Sequence, residues 1–249
     1  MTWYIATLSM HKLGLEIEGY SVREYYALVE AESHDLAYVK SIGLGRRLPD
    51  DLLSSTRGTA SRDHWVFDGL SDLLMVYEAP KDGSELIWSQ EEVPAAELQR
   101  DTRRKQQLRV FAEGSVSRAP TGWYVASIVL AEVHDTGSHG PTLLRWINWY
   151  LVNAKNAESA YRRALEIGAR QASGSGSHKC DGDTAHWEFK GIRQLVETLS
   201  RPRDGSILWF DQFEVSRDRF KRLVPEKSAL GVFRWEAERR GQDSSLTTQ

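Results

Sequence analysis

Two closely similar hexapeptides occur in this chain: HWVFDG at residues 64–69 and HWEFKG at residues 186–191. Chance similarity does not preserve order across several further blocks, and here four more pairs recur in the same order. This constrains the chain to fold as two related units produced by internal duplication. The further pairs are WYIA and WYVA (3–6 and 123–126), YALVEAES and YLVNAKN (26–33 and 150–156), DGSELIWSQEEV and DGSILWFDQFEV (82–93 and 204–215), and LRVF and LGVF (108–111 and 230–233).

The spacing of the blocks sets the size of the repeat. The copies span residues 2–113 and 121–235, and a small, polar segment at 114–120 is predicted to link them. A period of about 120 residues is too long for a solenoid, whose repeats have roughly 20–50 residues, so each copy is predicted to build its own core. Residues 236–249 are polar and lack apolar periodicity, which predicts a disordered tail.

Each copy shows the same order of predicted elements. Two alternating apolar stretches at its start predict strands. Ser33 and Asn156 are suited to cap a following helix, which Gly45 and Gly168 are placed to end. The hexapeptide predicts another strand, and the Pro-x-Asp-Gly sequence after it predicts a hairpin into the last strand. The sum is an α+β fold: two duplicated small domains, each a mainly antiparallel sheet with a helix packed on one face.

Composition excludes few classes of function. A formal net charge of −3, from 32 basic and 35 acidic residues, gives no overall field that would draw the chain to nucleic acid or membrane. The N-terminus lacks the pattern of a secretory signal, and no apolar run is long enough to span a bilayer. Cys180 is the single cysteine, so no intrachain disulfide is possible. These features predict a cytoplasmic protein.

The repeated pieces resemble a catalogued bacterial family, the domain of unknown function 4288. The features that carry the resemblance are the opening WY(I/V)A, a strand ending before a capped helix, the central HWxFxG, and a terminal hairpin with Asp-Gly followed by Trp. The resemblance covers both copies and implies a tandem member of the family. Since the family has no assigned activity, it supports the domain boundaries and implies no mechanism.

The hexapeptide offers the first candidate site residues, His64 with Trp65 and His186 with Trp187. Paired histidines can act as general bases or ligands, because the imidazole exchanges a proton near neutral pH. Neither copy, however, places a matched nucleophile or carboxylate pair at a fixed spacing. The alternative is that these residues simply build a strand in each copy.

Further candidates lie in the second copy. The loop SHKCDGDTAH contains His178, Cys180 and Asp183, which are suitable zinc ligands in type, but their spacing matches no standard template and the first copy lacks them. A loop without metal is therefore preferred over a metal site. Trp146 and Trp149 are three residues apart on a predicted strand, so they point to opposite faces, and one of them could anchor a partner or the sister domain.

No nucleotide, zinc-protease or serine-hydrolase motif is present, which favours a non-enzymatic role without catalytic residues or cofactor. We expect a binding protein that recognises another protein, by analogy with small, motif-poor bacterial proteins of toxin neutralisation or conflict and defence systems. Two alternatives stay open. One is an enzyme or small-ligand sensor with a site between the copies. The other is an accessory protein that binds RNA or DNA through the basic stretch Arg100–Arg109.

Overall fold

In the computed structural model the described residues are 1–13, 19–48, 64–111, 121–135, 142–180 and 183–246. They form two compact units, residues 1–78 with 202–249 (unit 1) and residues 79–201 (unit 2). The strands are β1 (Thr2–Lys12), β2 (Tyr20–Ala31), β3 (Trp65–Val76), β4 (Glu85–Pro94), β5 (Trp123–His134), β6 (Thr142–Asn153), β7 (Ser177–Cys180), β8 (Asp183–Glu197) and β9 (Ile207–Val215). The helices are α1 (His34–Gly45), α2 (Ala95–Asp101), α3 (Ala157–Gly174), α4 (Arg217–Phe220) and α5 (Gly231–Leu246).

Each unit is built on one antiparallel sheet. The strand order is β3-β1-β2-β9 in unit 1 and β4-β6-β5-β8-β7 in unit 2. In unit 2 the small side chains of Ala160 and Ala164 let α3 approach the sheet closely, where it covers Tyr124 and Leu195. Two similar antiparallel sheets with packed helices confirm the predicted α+β class.

The last strand of each sequence copy lies in the sheet of the other copy. Strand β9, from the second copy, pairs with β2 of the first, and β4, from the first copy, pairs with β6 of the second. The predicted hairpins of β3 with β4 and of β8 with β9 are therefore wrong. The compact units differ accordingly from the contiguous copies 2–113 and 121–235, because each unit contains an exchanged arm.

The repeated Asp-Gly turn holds each exchanged strand in place. Asp204 accepts a hydrogen bond from the backbone N–H of Glu30 (2.8 Å) and one from Lys40 (2.9 Å). Asp82 does the same in unit 2, where it accepts from the backbone N–H of Asn153 (2.9 Å) and from Arg163 (3.1 Å). Gly83 and Gly205 adopt the positive φ that the predicted turns require (82° and 76°), but the hydrogen-bond partners of both turns lie on the other copy.

A second clamp follows each exchanged strand. Lys227 forms an ion pair with Asp35 in the first turn of α1. Lys105, at the equivalent position of the first copy, forms an ion pair with Glu158 in the first turn of α3. Both arms therefore place a cation on the acidic start of the helix that they reach.

Both predicted helices begin where expected, but only α1 ends at the predicted glycine. Ser33 and Asn156 accept hydrogen bonds from the backbone N–H groups of Leu36 and Ser159, which confirms both caps. Helix α1 ends at Gly45 as predicted, whereas α3 continues past Gly168 to Gly174. The prediction that Gly168 ends the helix is therefore wrong.

The phenylalanine of each hexapeptide packs against a glycine of the helix. A Cβ atom at Gly45 would lie 2.3 Å from the ring of Phe67, and one at Gly168 would lie 2.4 Å from the ring of Phe189. Only a residue without a side chain allows this approach. The contact between the helix glycine and the phenylalanine of HWxFxG is therefore a packing constraint that both units share.

Alanine at either glycine should overpack the unit concerned. We expect Gly168→Ala to lower the free energy of unfolding by about 1–3 kcal/mol. A Phe189→Leu change should recover part of that loss in the double variant, since it removes ring atoms from the clash. Urea unfolding of the two single variants and the double variant tests this. Strictly additive effects would contradict the proposed contact.

The C-terminal segment is helical where it was predicted to be disordered. Helix α5 continues through residues 236–246, and its first turns place Phe233 edge-on to His34 and Tyr38 of α1. Packing of Phe233 against α1 therefore attaches the start of this polar helix to the rest of unit 1. No helix in the described part of the chain is long and apolar enough to cross a membrane.

Candidate functional site

The two hexapeptides place a buried tryptophan beside a more exposed histidine. Trp65 and Trp187 are 8% and 7% exposed. His64 is exposed, and the side chain of His186 is 40% exposed and lies 3.2 Å from a carboxylate oxygen of Asp135. Strand alternation explains this difference, because neighbouring residues point to opposite faces.

In unit 2, Trp187 belongs to a row of stacked rings that crosses the sheet. The Trp146 ring stacks on Trp187 with centroids 4.3 Å apart, and Trp88 on the edge strand β4 lies 6.1 Å from Trp146. On the other side, His178 of β7 stacks on Trp187 at 6.2 Å. We call Trp88, Trp146, Trp187 and His178 the aromatic stripe.

The stripe ends in an exposed ring. Trp88 is 51% exposed, while Trp187 within the stripe is 7% exposed. The Trp88 ring packs at a tilt of 36° against Trp146, which itself stacks on Trp187, so other rings support the exposed one from one side. Such a ring can pack against an apolar side chain or a cation from another molecule with little loss of side-chain entropy.

Unit 1 fills the equivalent place with a cation. Arg23 takes the position of Trp146, and its guanidinium lies 4.1 Å from the centroid of the Trp65 ring and 5.2 Å from that of Phe210. It is 3% exposed and donates to the Gln212 side chain at 2.8 Å. The stacked tryptophan row is therefore a feature of unit 2.

Two carboxylates lie on the sheet that carries the stripe. Glu132 is directly opposite Trp187 in the sheet, is 6% exposed, and lies 2.5 Å from Nε2 of His178. Glu92 is exposed and is on the same face of β4 as Trp88, four residues away. Of these two carboxylates, Glu92 is the one exposed to a molecule that docks on the stripe, since Glu132 is buried against His178.

The loop predicted as a weak metal alternative contributes one stripe residue. His178 binds Glu132 instead of a loop ligand, and the oxygen of Asp183 lies 3.8 Å from the ring of His134. Cys180 pairs with Asp183 in the β7 and β8 ladder. Across the described ranges, no group of three or more His, Cys, Asp and Glu residues could hold a metal ion.

Sequence reasoning named Trp146, Trp187 and His178 for separate reasons, and the structure brings them together. It does not bring Trp149 to the stripe, since alternation places that ring on the other face, as predicted. Sequence reasoning missed Trp88 and Glu132. The position of Trp88 within a repeated block, matched by an aromatic residue in the other copy, was the available signal.

The basic stretch Arg100–Arg109 spans the end of α2 and the two 3₁₀ turns Lys105–Gln107 and Arg109–Phe111. Lys105 is engaged with Glu158, so part of its charge is neutralised within unit 2. The stretch lies on a different part of the chain from the strands that carry the stripe. Nucleic-acid binding through it stays a prediction.

Comparison with known proteins gives one match, to part of the chain. Residues 123–209 match the model of a domain of unknown function, DUF4288. The matched range runs from β5 through β8 into the first residues of β9, and the family model matches this one copy, not a tandem pair. Neither curated proteins nor solved structures give a significant match. The second copy is therefore similar to the DUF4288 family.

Proposed function

We propose that the chain is a non-enzymatic binding protein that recognises another protein through the aromatic stripe of unit 2. The observation that carries this proposal is the exposed ring of Trp88, 51% accessible on an edge strand and supported by stacked Trp146. Tryptophan is among the residues that dominate binding energy in protein interfaces. An exposed tryptophan supported by other rings has the features of such an anchor.

The charge around the stripe selects the kind of partner. The exposed Glu92 would repel the phosphates of RNA or DNA but would attract lysine or arginine. The exposed face of Trp88 can accept the same cations or an apolar side chain. We therefore expect a protein segment that combines basic and apolar residues.

The edge position of β4 supports the same proposal. Strand β4 is the terminal strand of its sheet, and a partner strand can add to such an edge by main-chain hydrogen bonds. The side chains of the added strand would then lie beside Trp88. Main-chain pairing would give affinity, and the aromatic stripe with Glu92 would give specificity.

Replacing Trp88 with alanine should abolish capture of the partner. The tagged protein is used to retrieve interacting proteins from the cells that naturally produce it, and the retained proteins are identified by mass spectrometry. We expect one stoichiometric partner with wild type. For purified partner, Trp88→Ala should weaken binding by about 2 kcal/mol or more, which is about 30-fold in Kd.

Trp235 provides a matched control, because it is also exposed (42%) but lies on α5 of unit 1. The Trp235→Ala variant should capture the partner as well as wild type does. Equal capture by Trp88→Ala, or equal loss with both variants, would refute a role for the stripe. Recovery of nucleic acid in place of protein would favour the accessory-protein alternative.

We also infer that the first copy is a divergent member of the same family, so that the chain is a tandem protein. The repeated blocks support this inference, as do the shared strand-strand-helix-strand order and the matched Asp82 and Asp204 clamps.

A further inference from the structure

Helix α1 of unit 1 carries apolar residues on two opposite faces. Its inner face, with Ala37, Ser41 and Gly45, is buried. On the opposite side of the helix, Leu36 is 49% exposed and Val39 is 63% exposed. A helix with apolar residues on both faces is normally covered on both. The exposure of this outer face therefore indicates a contact with another molecule.

The equivalent helix face of unit 2 is polar. At the positions that correspond to 36, 39 and 43 of the first copy, helix α3 carries Ser159, Arg162 and Glu166. The inner face of α3 is buried, as that of α1 is. Helix α3 therefore has the apolar and polar sides expected of a helix on the surface of a monomer. The apolar outer face is a property of unit 1 and not of the duplicated fold.

Gly43 lies on the same outer face, where the packing of the chain does not require a glycine. A Cβ atom there would meet one terminal guanidinium nitrogen of Arg47, at an ordinary contact distance of 3.4 Å. Gly45 differs, because the ring of Phe67 packs directly on it. Glycine destabilises a helix interior relative to alanine, but it lets the backbone of another element approach closely. A second helix on this face would use that approach.

The charge along this face reverses from one end of the helix to the other. Glu32 is exposed just before the Ser33 cap, and Arg46 and Arg47 are exposed after the last turn. The Nε of Arg47 donates to the carbonyl of Gly43 at 2.9 Å, which holds the guanidinium beside the outer face. Two such helices packed antiparallel would bring the acidic end of each to the basic end of the other, whereas parallel packing would bring like charges together.

We propose that the outer face of α1 forms the contact of a homodimer, in which α1 packs antiparallel against α1 of a second copy of this chain. A twofold axis beside Val39 brings the two Val39 side chains together. It also places Leu36 of each copy on Gly43 of the other, and Glu32 beside Arg47 of the other. Both pairs are centred between residues 39 and 40, so one axis satisfies both.

The size of the face sets the strength of the dimer. Helix α1 has 12 residues, and its outer face is small beside the roughly 800 Å² per partner of a standard stable interface. We therefore expect a weak, reversible dimer with a Kd of about 10–100 μM. Because this face belongs to unit 1 and the aromatic stripe to unit 2, the dimer does not depend on the proposed function.

Sedimentation equilibrium of the full chain over a concentration series tests the proposal. Wild type should shift from the mass of one chain to that of two as its concentration rises. Val39→Glu should weaken association at least about 10-fold, because it places two carboxylates together at the twofold axis. Arg162→Glu, at the equivalent exposed position of α3, should leave the Kd unchanged. Circular dichroism establishes that each variant is folded.

An exchange of charges tests the antiparallel arrangement. Glu32→Arg and Arg47→Glu should each weaken the dimer about 10-fold, and the double variant should regain most of the lost affinity because opposite charges face each other again. A double variant that binds no more tightly than the single variants would overturn the antiparallel contact. Wild type that stays monomeric at about 1 mM would overturn the dimer in favour of a different occupant of this face. A dimer that Val39→Glu leaves intact would overturn the assignment to α1.

Discussion

Two polypeptides, residues 1–113 and 114–249, expressed separately and mixed, should form a one-to-one complex although no peptide bond joins them. Each half would supply one strand to the sheet of the other, β4 to β6 and β9 to β2. Each would also bring the Asp-Gly turn and the lysine clamp. We expect a Kd below about 1 μM, tight enough for size-exclusion chromatography and native mass spectrometry to detect the complex.

Truncated halves provide the control. A first half that ends at residue 78 lacks β4, and we expect weaker association that depends on β9 alone. When the first half ends at residue 78 and the second half ends at residue 201, both exchanged strands are missing. We expect no association of these two truncated halves. Halves 1–113 and 114–249 that each elute as stable, folded monomers would show instead that each strand returns to its own copy.

The exchange marks the limit of what the sequence could predict. The duplication, the caps at Ser33 and Asn156, and the single main helix of each copy follow from local patterns, and the structure reproduces them. The destination of β4 does not follow, since a Pro-x-Asp-Gly turn suits a hairpin and an exchanged arm equally well. Asp82 accepts from Asn153, 71 residues away in sequence, and no local pattern records such a partner.

The same limit applies to the candidate site. Periodicity places Trp146 and Trp149 on opposite faces, but it does not predict that Trp146 stacks on Trp187 from another strand. That contact depends on strand order across the sheet. It also depends on one substitution between the copies, because Arg23 occupies the equivalent place in unit 1. The sequence repeat indicated which positions correspond between the copies, but the contacts between the rings follow only from the strand order in the folded sheet.

Replacing Trp209 with alanine should cause one of the largest losses of stability available in unit 1. The side chain is 2% exposed and stacks on Tyr26, with centroids 4.2 Å apart and an interplanar angle of 5°. Removing the indole leaves a cavity and deletes the stack, so we expect a loss of about 3–5 kcal/mol in the free energy of unfolding. Urea denaturation followed by far-ultraviolet circular dichroism measures it.

The position of Trp209 on an exchanged strand makes the location of the effect informative. Hydrogen exchange should accelerate in β1, β2 and β3, the sheet that receives β9, and much less in β5, β6 and β8. Trp209→Phe is the conservative control: it keeps a ring on Tyr26 and removes an indole nitrogen that makes no hydrogen bond in the described structure.

Ile87 is the residue on β4 that is equivalent to Trp209. Ile87→Ala should therefore accelerate exchange in the other sheet, and the reverse assignment of the two variants would mean that the strands are not exchanged.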